Sequence, residues 1–379
     1  MIIALIATEK LPVPAIRGGA IQIYLEAVSK LLAKHHQVTV ISIEDKDLEQ
    51  SETVDGVHFV RMNKENYVTG IKKLISSKKF DVIHVCNRPL WIETLKESSP
   101  SSRFILSIHN EMFALGKMTD KEGEKCVSLV SKIVTVSDYI GQTITSRFPS
   151  AKGKVQTVYS GVDLTAYHPK WTAKGKQLRE SIRSQLQLSN KKIVLFVGRL
   201  SKVKGPHILL HSLPEIIAQH PDAHLVLIGS KWFGENNVNN YVKHLYTLGA
   251  IYQDNITFIK FVEPKDIPKL YSMADVFVCC SQWQEPLARV HYEAMAAGLP
   301  ILTSDRGGNP EVINEGKNGH VIHQFDEPTA YAKAINSLLS SEGTRDRLGK
   351  NGRTHVEGQF GWSSVASNLK TVYENAART

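Results

Sequence analysis

Short runs of branched aliphatic residues alternate with segments of helical periodicity along almost the whole chain, and this alternation restricts the possible folds more than any other feature. The run "MIIALIA" is followed by "GGAIQIYLEAVSKLLAKHH", where Ile21, Tyr24, Leu25, Val28, Leu31 and Leu32 recur at the spacing of one helix face. "QVTVISI", "FDVIHV", "RFILSI" and "KIVTV" come next, without the clean apolar–polar alternation of a strand that keeps one face in water. Runs of this kind suit strands buried on both faces. With helical segments between most of them, right-handed β-α-β units and a parallel sheet follow. The expected fold class is α/β.

After Tyr167 the pattern starts again. "KKIVLFVG", "AHLVLIG", "NITFIKF", "DVFVCC" and "LPILTS" read as a second set of strands, and 379 residues suffice for two such domains. The stretch from Pro169 to Asn190, charged and broken by Pro and Gly before it turns helical, marks the boundary. The chain thus divides into residues 1–167, residues 168–360 and a last helix within 361–379 that no strand follows. Two doubly wound, Rossmann-like domains in tandem create a cleft, and ligands of such sheets lie beyond the carboxyl ends of the strands.

Composition narrows the setting. Cys86, Cys126, Cys279 and Cys280 lack metal-ligand spacing and read as buried free thiols, which suit a reducing compartment. The N-terminus has no basic leader and reads as a first strand, and no stretch approaches the roughly 20 apolar residues of a spanning helix, so a cytoplasmic location is expected. A net charge of +9 suits an anionic substrate, an acidic polymer or a membrane face, or is simply that of a basic soluble protein. Zinc-finger spacing and aromatic RNA-binding signatures are missing, so nucleic acid is not an expected partner.

The segment "LFVGRLSKVKGPHILL" is the most informative one. Arg199 sits at the carboxyl end of an apolar strand and Lys204 at the entrance of the next helix, where Gly205 and Pro206 suit a sharp start. Two cations beside a helix N-terminus make an anion site, whereas a single one would be surface decoration. In "QEPLARVHYEAMAAGLP", Pro286 is expected at the first helical position, which leaves the amides of Leu287, Ala288 and Arg289 to donate to a phosphate. Glu285 and Glu293 are either a helix cap and a solvated acid, or acceptors for vicinal sugar hydroxyls.

In the first half, Gly18 and Gly19 form a plain tight turn or let the backbone approach a ligand while opening a helix. They do not build G-x-G-x-x-G, so the dinucleotide fingerprint is absent. His109 closes the strand "RFILSI", and Ser137 reads first as a helix N-cap. Trp232 and Phe233 fall on a loop where an aromatic packs in the core or stacks on a base or sugar, and Gly307–Gly308 in "DRGGNPEVI" are expected to line the cleft. Asp45 and Asp47 spell a formal D-x-D, but hard-cation sites need oxygens converging from several places, so no metal is expected.

The chain resembles the retaining family 4 glycosyltransferases of the GT-B fold. The likeness is carried by the Glu-x7-Glu motif from Glu285 to Glu293 with "EAMAAGLP", by "VGRLSKVKG", by "YSGVD" at Tyr159 to Asp163 and by Gly18–Gly19. It implies that Arg199 and Lys204 bind the donor diphosphate, that Glu285 contacts the transferred sugar, and that Glu293 contacts the ribose hydroxyls. By the same resemblance His109 lies beside the reacting sugar, the first domain serves the acceptor and the second the nucleotide-sugar donor. The last helix would cross back onto the first domain, with Phe360 to Trp362 at its kink. The chain departs from the family at Leu287–Ala288, where Phe-Gly is common, and at Ser160, where many members have Asn; the first departure bears on donor sugar contacts. "ATEKLPVPAIRGGAIQIYLEAV", "HVCNRP", "SDYIGQTITSRFPSA" and "GSKWFG" are similar to glycosyltransferase-like proteins of the spore coat, which implies association with the forming spore.

The activity implied is transfer of a sugar from a nucleotide diphosphate sugar to an acceptor hydroxyl, with retention and with fixed cations in place of a metal or other cofactor. Lys204→Ala is expected to lower turnover by about 10²–10³ and leave the fold intact. Two alternatives stay open: a non-catalytic coat component that keeps the fold, and a nucleotide-sugar epimerase. A dehydrogenase is disfavoured by the missing fingerprint.

Overall fold

The computed structural model describes residues 1–229, 239–260 and 262–378. It divides into two compact units, Met1–Gly161 with Trp362–Thr379, and Val162–Gly361. The sequence reading put these boundaries after Tyr167 and after Phe360.

The first unit holds β1 (Ile2–Ile6), β2 (Gln37–Ile43), β3 (Ser51–Val54), β4 (Val57–Met62), β5 (Val82–Cys86), β6 (Arg103–Ile108), β7 (Lys132–Thr135) and β8 (Val155–Thr157). They form one sheet in the order β3-β4-β2-β1-β5-β6-β7-β8. Every pairing is parallel except the β3–β4 hairpin. Its turn, Asp55–Gly56, has φ of 53° and 78°, the left-handed pair that Asp-Gly adopts in tight hairpins. Ile3, Leu5, Val82, Val85, Ile105 and Leu106 are fully buried, as strands covered on both faces require.

Tyr24, Leu25, Val28 and Leu32 turn one face of the helix Ala20–Leu32 into this core. There they meet Val365, Leu369, Val372 and Tyr373 of the last helix, Trp362–Arg378. The Tyr373 hydroxyl lies 2.6 Å from Nδ1 of His84 in β5, and burial drives that imidazole down to about 3.

The second unit holds β9 (Lys192–Val197), β10 (Ala223–Ile228), β11 (Ile256–Ile259), β12 (Val276–Cys279), β13 (Ile301–Ser304) and β14 (Gly319–Ile322). The sheet is wholly parallel, in the order β11-β10-β9-β12-β13-β14. The chain therefore winds outward from β9 in one direction and from β12 in the other. Loops leaving the carboxyl ends of two such neighbours part company and open a crevice. The first sheet has the same reversal between β1 and β5.

At the amino ends of the central strands of the second sheet, buried Asp275 accepts from Arg179 (2.5 Å), Arg183 (2.7 Å) and the Ile193 amide (2.7 Å), tying β9, β12 and the helix Ala173–Gln185 together. All four cysteines are buried and free. Among the described residues no helix is long and apolar enough to cross a membrane.

Candidate functional site

The reversal between β9 and β12 is where the second unit gathers polar chemistry. After β9 the chain makes a single tight turn over Lys202–Lys204, then enters the helix Pro206–Gln219 through Gly205 at φ 72°. A side chain at Gly205 would put Cβ 2.1 Å from the Cys280 carbonyl oxygen, so only glycine lets this loop lie against the end of β12. The Gln282 amide donates to the Val203 carbonyl at 2.8 Å and fastens the two loops together.

The ammonium of Lys204 thereby reaches Oε2 of Glu285 at 2.6 Å, with the two side chains 19% and 7% exposed. The same oxygen accepts from the Ser281 hydroxyl at 2.9 Å and the Trp283 indole at 2.8 Å. Burial alone would push this carboxyl up, but the charge and hydrogen bond of Lys204, with Trp283 and Ser281, outweigh it and hold the pKa below the ordinary range. Glu285 is thus a fixed carboxylate whose donors all crowd one oxygen. Oε1 has no hydrogen-bond partner among the described residues. Arg199, half-buried, leaves the end of the same strand β9.

The loop after β13 closes the site from below. Gly308 donates to the Glu285 carbonyl at 2.8 Å and Gly307 to the Gln284 side chain at 2.6 Å. Gly307 has φ 59°, and a Cβ there would lie 2.1 Å from the Glu285 oxygen. Its role is to clasp the Gln284–Glu285 backbone.

This clasp changes the helix that follows. The helix runs Val290–Ala296, so Pro286 lies in the preceding loop and not at the first helical position. The Ala288 amide, expected to be open to a ligand, donates to the buried Asn309 side chain at 3.1 Å. Gly308 has engaged the Glu285 carbonyl, and the first carbonyls used by the turn are those of Ala288 and Arg289. Of the expected row of amides, that of Ala288 is taken by Asn309, and Arg289 is the residue that caps the helix, so the N-terminus lies later than Pro286 would set it. Glu293, on that helix, accepts from the buried Tyr271 hydroxyl at 2.8 Å and lies 4.0 Å from Arg289. Burial, with the nearby Glu293 charge, keeps Tyr271 neutral and a donor.

In the first unit Gly18 and Gly19 have φ of 77° and 97°. A Cβ on Gly19 would lie 2.3 Å from the Gln22 side chain, so this glycine serves local packing, while nothing lies within 4 Å of a Cβ on Gly18. Arg17 beside them is paired with Asp45, at 2.9 Å, and with Asp47, which accounts for the D-x-D. His109 follows β6; its amide donates to Asn87 Oδ1 at 3.1 Å and its ring meets the edge of Tyr24 at 5.1 Å. Ser137 caps the helix Asp138–Arg147 by accepting from the Ile140 amide.

A pair that local reading missed sits at the reversal of the first sheet. Arg88, just after β5, grips Glu9, just after β1, with two hydrogen bonds of 2.7 Å. The signal was there, a charged residue after each strand, but it becomes legible only once β1 and β5 are known to be neighbours. Trp232 and Phe233 lie outside the described residues.

Residues 17–166 match the family described as Glycosyltransferase Family 4, and residues 179–355 the one described as Glycosyl transferases group 1. Spore coat protein SA of Bacillus subtilis (strain 168) is 65% identical over 374 residues, which cover 99% of both chains. Putative glycosyltransferase YtcC of the same organism is 48% identical over 99% of this chain and 92% of its own length. Among solved structures, Anabaena Alr3699/HepE in complex with UDP superposes with a TM-score of 0.79 at 20% identity, covering 98% of this chain and 99% of that one.

Proposed function

Since the chain belongs to glycosyltransferase family 4 and has the GT-B fold, we propose that it moves a sugar from a nucleoside diphosphate sugar to an acceptor hydroxyl with the anomeric configuration retained. The observation that carries this reading is the Lys204–Glu285 pair at the reversal of the second sheet, 2.6 Å apart. Ligands of doubly wound sheets bind there, and the pair offers a cation for a diphosphate beside a fixed acceptor for sugar hydroxyls.

In this reading Lys204 and Arg199 take the charge of the departing diphosphate. The anomeric C–O bond to the diphosphate breaks, the acceptor oxygen bonds to the same carbon, and its proton leaves with the diphosphate. Oε1 of Glu285 receives a hydroxyl of the transferred sugar, and Glu293, braced by Tyr271, receives the ribose hydroxyls. Fixed cations supply what a metal ion would otherwise provide. The second unit is the donor side; the first, with His109 and the Gly18–Gly19 turn, is the acceptor side. The 65% identical relative is a spore coat protein by name, which supports work in forming the spore surface.

The test is a screen of donor hydrolysis and calorimetric binding across UDP, GDP and ADP sugars, with and without chelator. The reading expects one donor to bind, to be turned over without a divalent ion, and to lose turnover about 10²–10³-fold in Lys204→Ala. No binding of any donor makes the chain a scaffold, and activity abolished by chelator removes the cationic role given to Lys204.

A further inference from the structure

A cavity of about 480 Å³ in the second unit is lined by Lys202, His207, His211, Tyr241, His244 and Gln282. That volume falls within the range of small-molecule sites. His207 and His211 stand one turn apart on the helix Pro206–Gln219, and Tyr241 and His244 face them from the helix Asn240–Ala250. Lys202 and Gln282 close the end nearest the strands. Among the described residues no carboxylate lines the cavity, and no three His, Cys, Asp or Glu side chains are placed to hold a metal ion together. Three imidazoles and an ammonium thus share this space with no acid among the described residues.

We propose that this cavity is a second anion site that binds a phosphomonoester bearing a hydroxyl group, as a phosphorylated sugar or polyol does. Lys202 brings an ammonium to this space, and His207, His211 and His244 bring imidazoles. His207 is held below the ordinary imidazole range, by burial first and then by the positive neighbours His211, His244 and Lys202, and a bound dianion reverses those last contributions. Nδ1 of His207 lies 2.8 Å from the Tyr241 hydroxyl. Burial keeps that phenol neutral, so once His207 is protonated the hydroxyl accepts from it and turns its own proton to the ligand.

Gln282 accounts for the hydroxyl on the ligand. Its amide nitrogen donates to the carbonyls of Cys280 at 2.9 Å and Phe325 at 2.8 Å, which uses both hydrogens and fixes the orientation of the group. The side-chain oxygen is left as an acceptor, suited to a donating hydroxyl and not to an unprotonated phosphate oxygen.

The site is independent of the donor reading, and the test keeps the two apart. Protein with labelled imidazoles is titrated with inorganic phosphate and with glycerol phosphate at constant ionic strength, at pH 6 and pH 8, and the histidine ring resonances are followed. His207, His211 and His244 should shift saturably and bind more tightly at pH 6 by about tenfold, the worth of one charge-assisted hydrogen bond. Glycerol phosphate should bind more tightly than inorganic phosphate. Lys204→Ala should keep the response, and the surface double variant Lys202→Gln/His244→Gln should lose it. Absence of saturation at pH 6, or an unchanged response in that double variant, overturns the anion site. Equal affinity for the two probes overturns the assignment of a hydroxyl-bearing ligand.

Discussion

Replacing Lys204 with alanine should unfold more than a catalytic contact. The side chain is 19% exposed and its partner Glu285 only 7%, so the change strands a carboxylate in a nearly dry site. Removing one partner of a buried pair costs about 3–5 kcal/mol. Here the Ser281 and Trp283 donors stay on Oε2, and hydrogen bonds to an ionised acceptor keep part of its solvation, so we expect about 2–3 kcal/mol. The fold should stay intact, as the sequence leads one to expect, but at lower stability.

The pH dependence carries the sign. In the intact protein the Glu285 pKa is depressed, so its stabilisation is present above the unfolded value of about 4.3 and lost as the pH falls through the folded value. Without Lys204 burial dominates and the folded value rises above the unfolded one. The deficit is then widest near neutrality and shrinks in acid. Urea unfolding followed by tryptophan fluorescence at pH 7 and pH 5 measures both slopes. Glu285→Gln in the same molecule removes the stranded charge and should restore at least half of the loss. A Lys204→Ala protein within about 0.5 kcal/mol of wild type at pH 7, or a double variant that merely adds the two single costs, would refute the reasoning.

Three further outcomes follow from neighbouring contacts. Gly307→Ala combines a left-handed backbone with a Cβ 2.1 Å from a carbonyl oxygen and should cost about 2–4 kcal/mol, against about 1 kcal/mol for Gly316→Ala, where nothing lies within 4 Å; thermal melts compare them. Asp275→Asn should cost about 3–5 kcal/mol at pH 7 by leaving Arg179 and Arg183 without a counterion. Burial pushes the Asp275 carboxyl up, but the two guanidiniums outweigh it and lower the pKa, so the wild type keeps this stability above the unfolded value of about 3.9 and loses it as the pH falls through the lower folded value, which the variant should not, as urea titrations at about pH 7 and about pH 2 would reveal. Tyr271→Phe removes the donor to Glu293 and should raise the donor KM about five- to tenfold with kcat nearly unchanged, the worth of one hydrogen bond.

Periodicity made most of the fold legible. Buried parallel strands announce themselves as aliphatic runs, and the runs at β1, β2, β5, β6, β7, β9, β10, β11, β12 and β13 all lie in the two sheets. The missed strands are the edge hairpin β3–β4, the three-residue β8 and the four-residue β14. Each is short or lies away from the sheet centre, where burial no longer demands a long aliphatic run. For the hairpin a local signal did exist, because Asp55–Gly56 is a turn pair flanked by the alternating burial of β4. The start of the helix at Val290 was beyond local reading. Pro286 favours a helix start by its own geometry, but the Gly308 amide, far away in sequence, takes the carbonyl at Glu285. Tertiary contact overrides the local preference.

Strand order is the missing step between sequence and site, and it has a consequence for the first unit. Lys204 and Glu285 lie in the loops that follow β9 and β12, and they stand together because these strands are neighbours at a reversal of winding. The same rule applied to the first sheet selects the residues after β1 and β5, and those are Glu9 and Arg88. His109 follows β6, one strand further out, and its amide donates to Asn87, beside the reversal. Arg88 is held by two hydrogen bonds to Glu9, lies 5.5 Å from the centre of the Trp91 ring and donates a third bond to the Asn87 carbonyl at 2.7 Å. A guanidinium braced on three sides keeps a fixed orientation, and Asn87, left-handed at φ 57°, is held between it and His109. Glu9 and Arg88 thus stand at the reversal of the first sheet as Lys204 and Glu285 stand at that of the second, and Asn87 links Arg88 to the His109 amide.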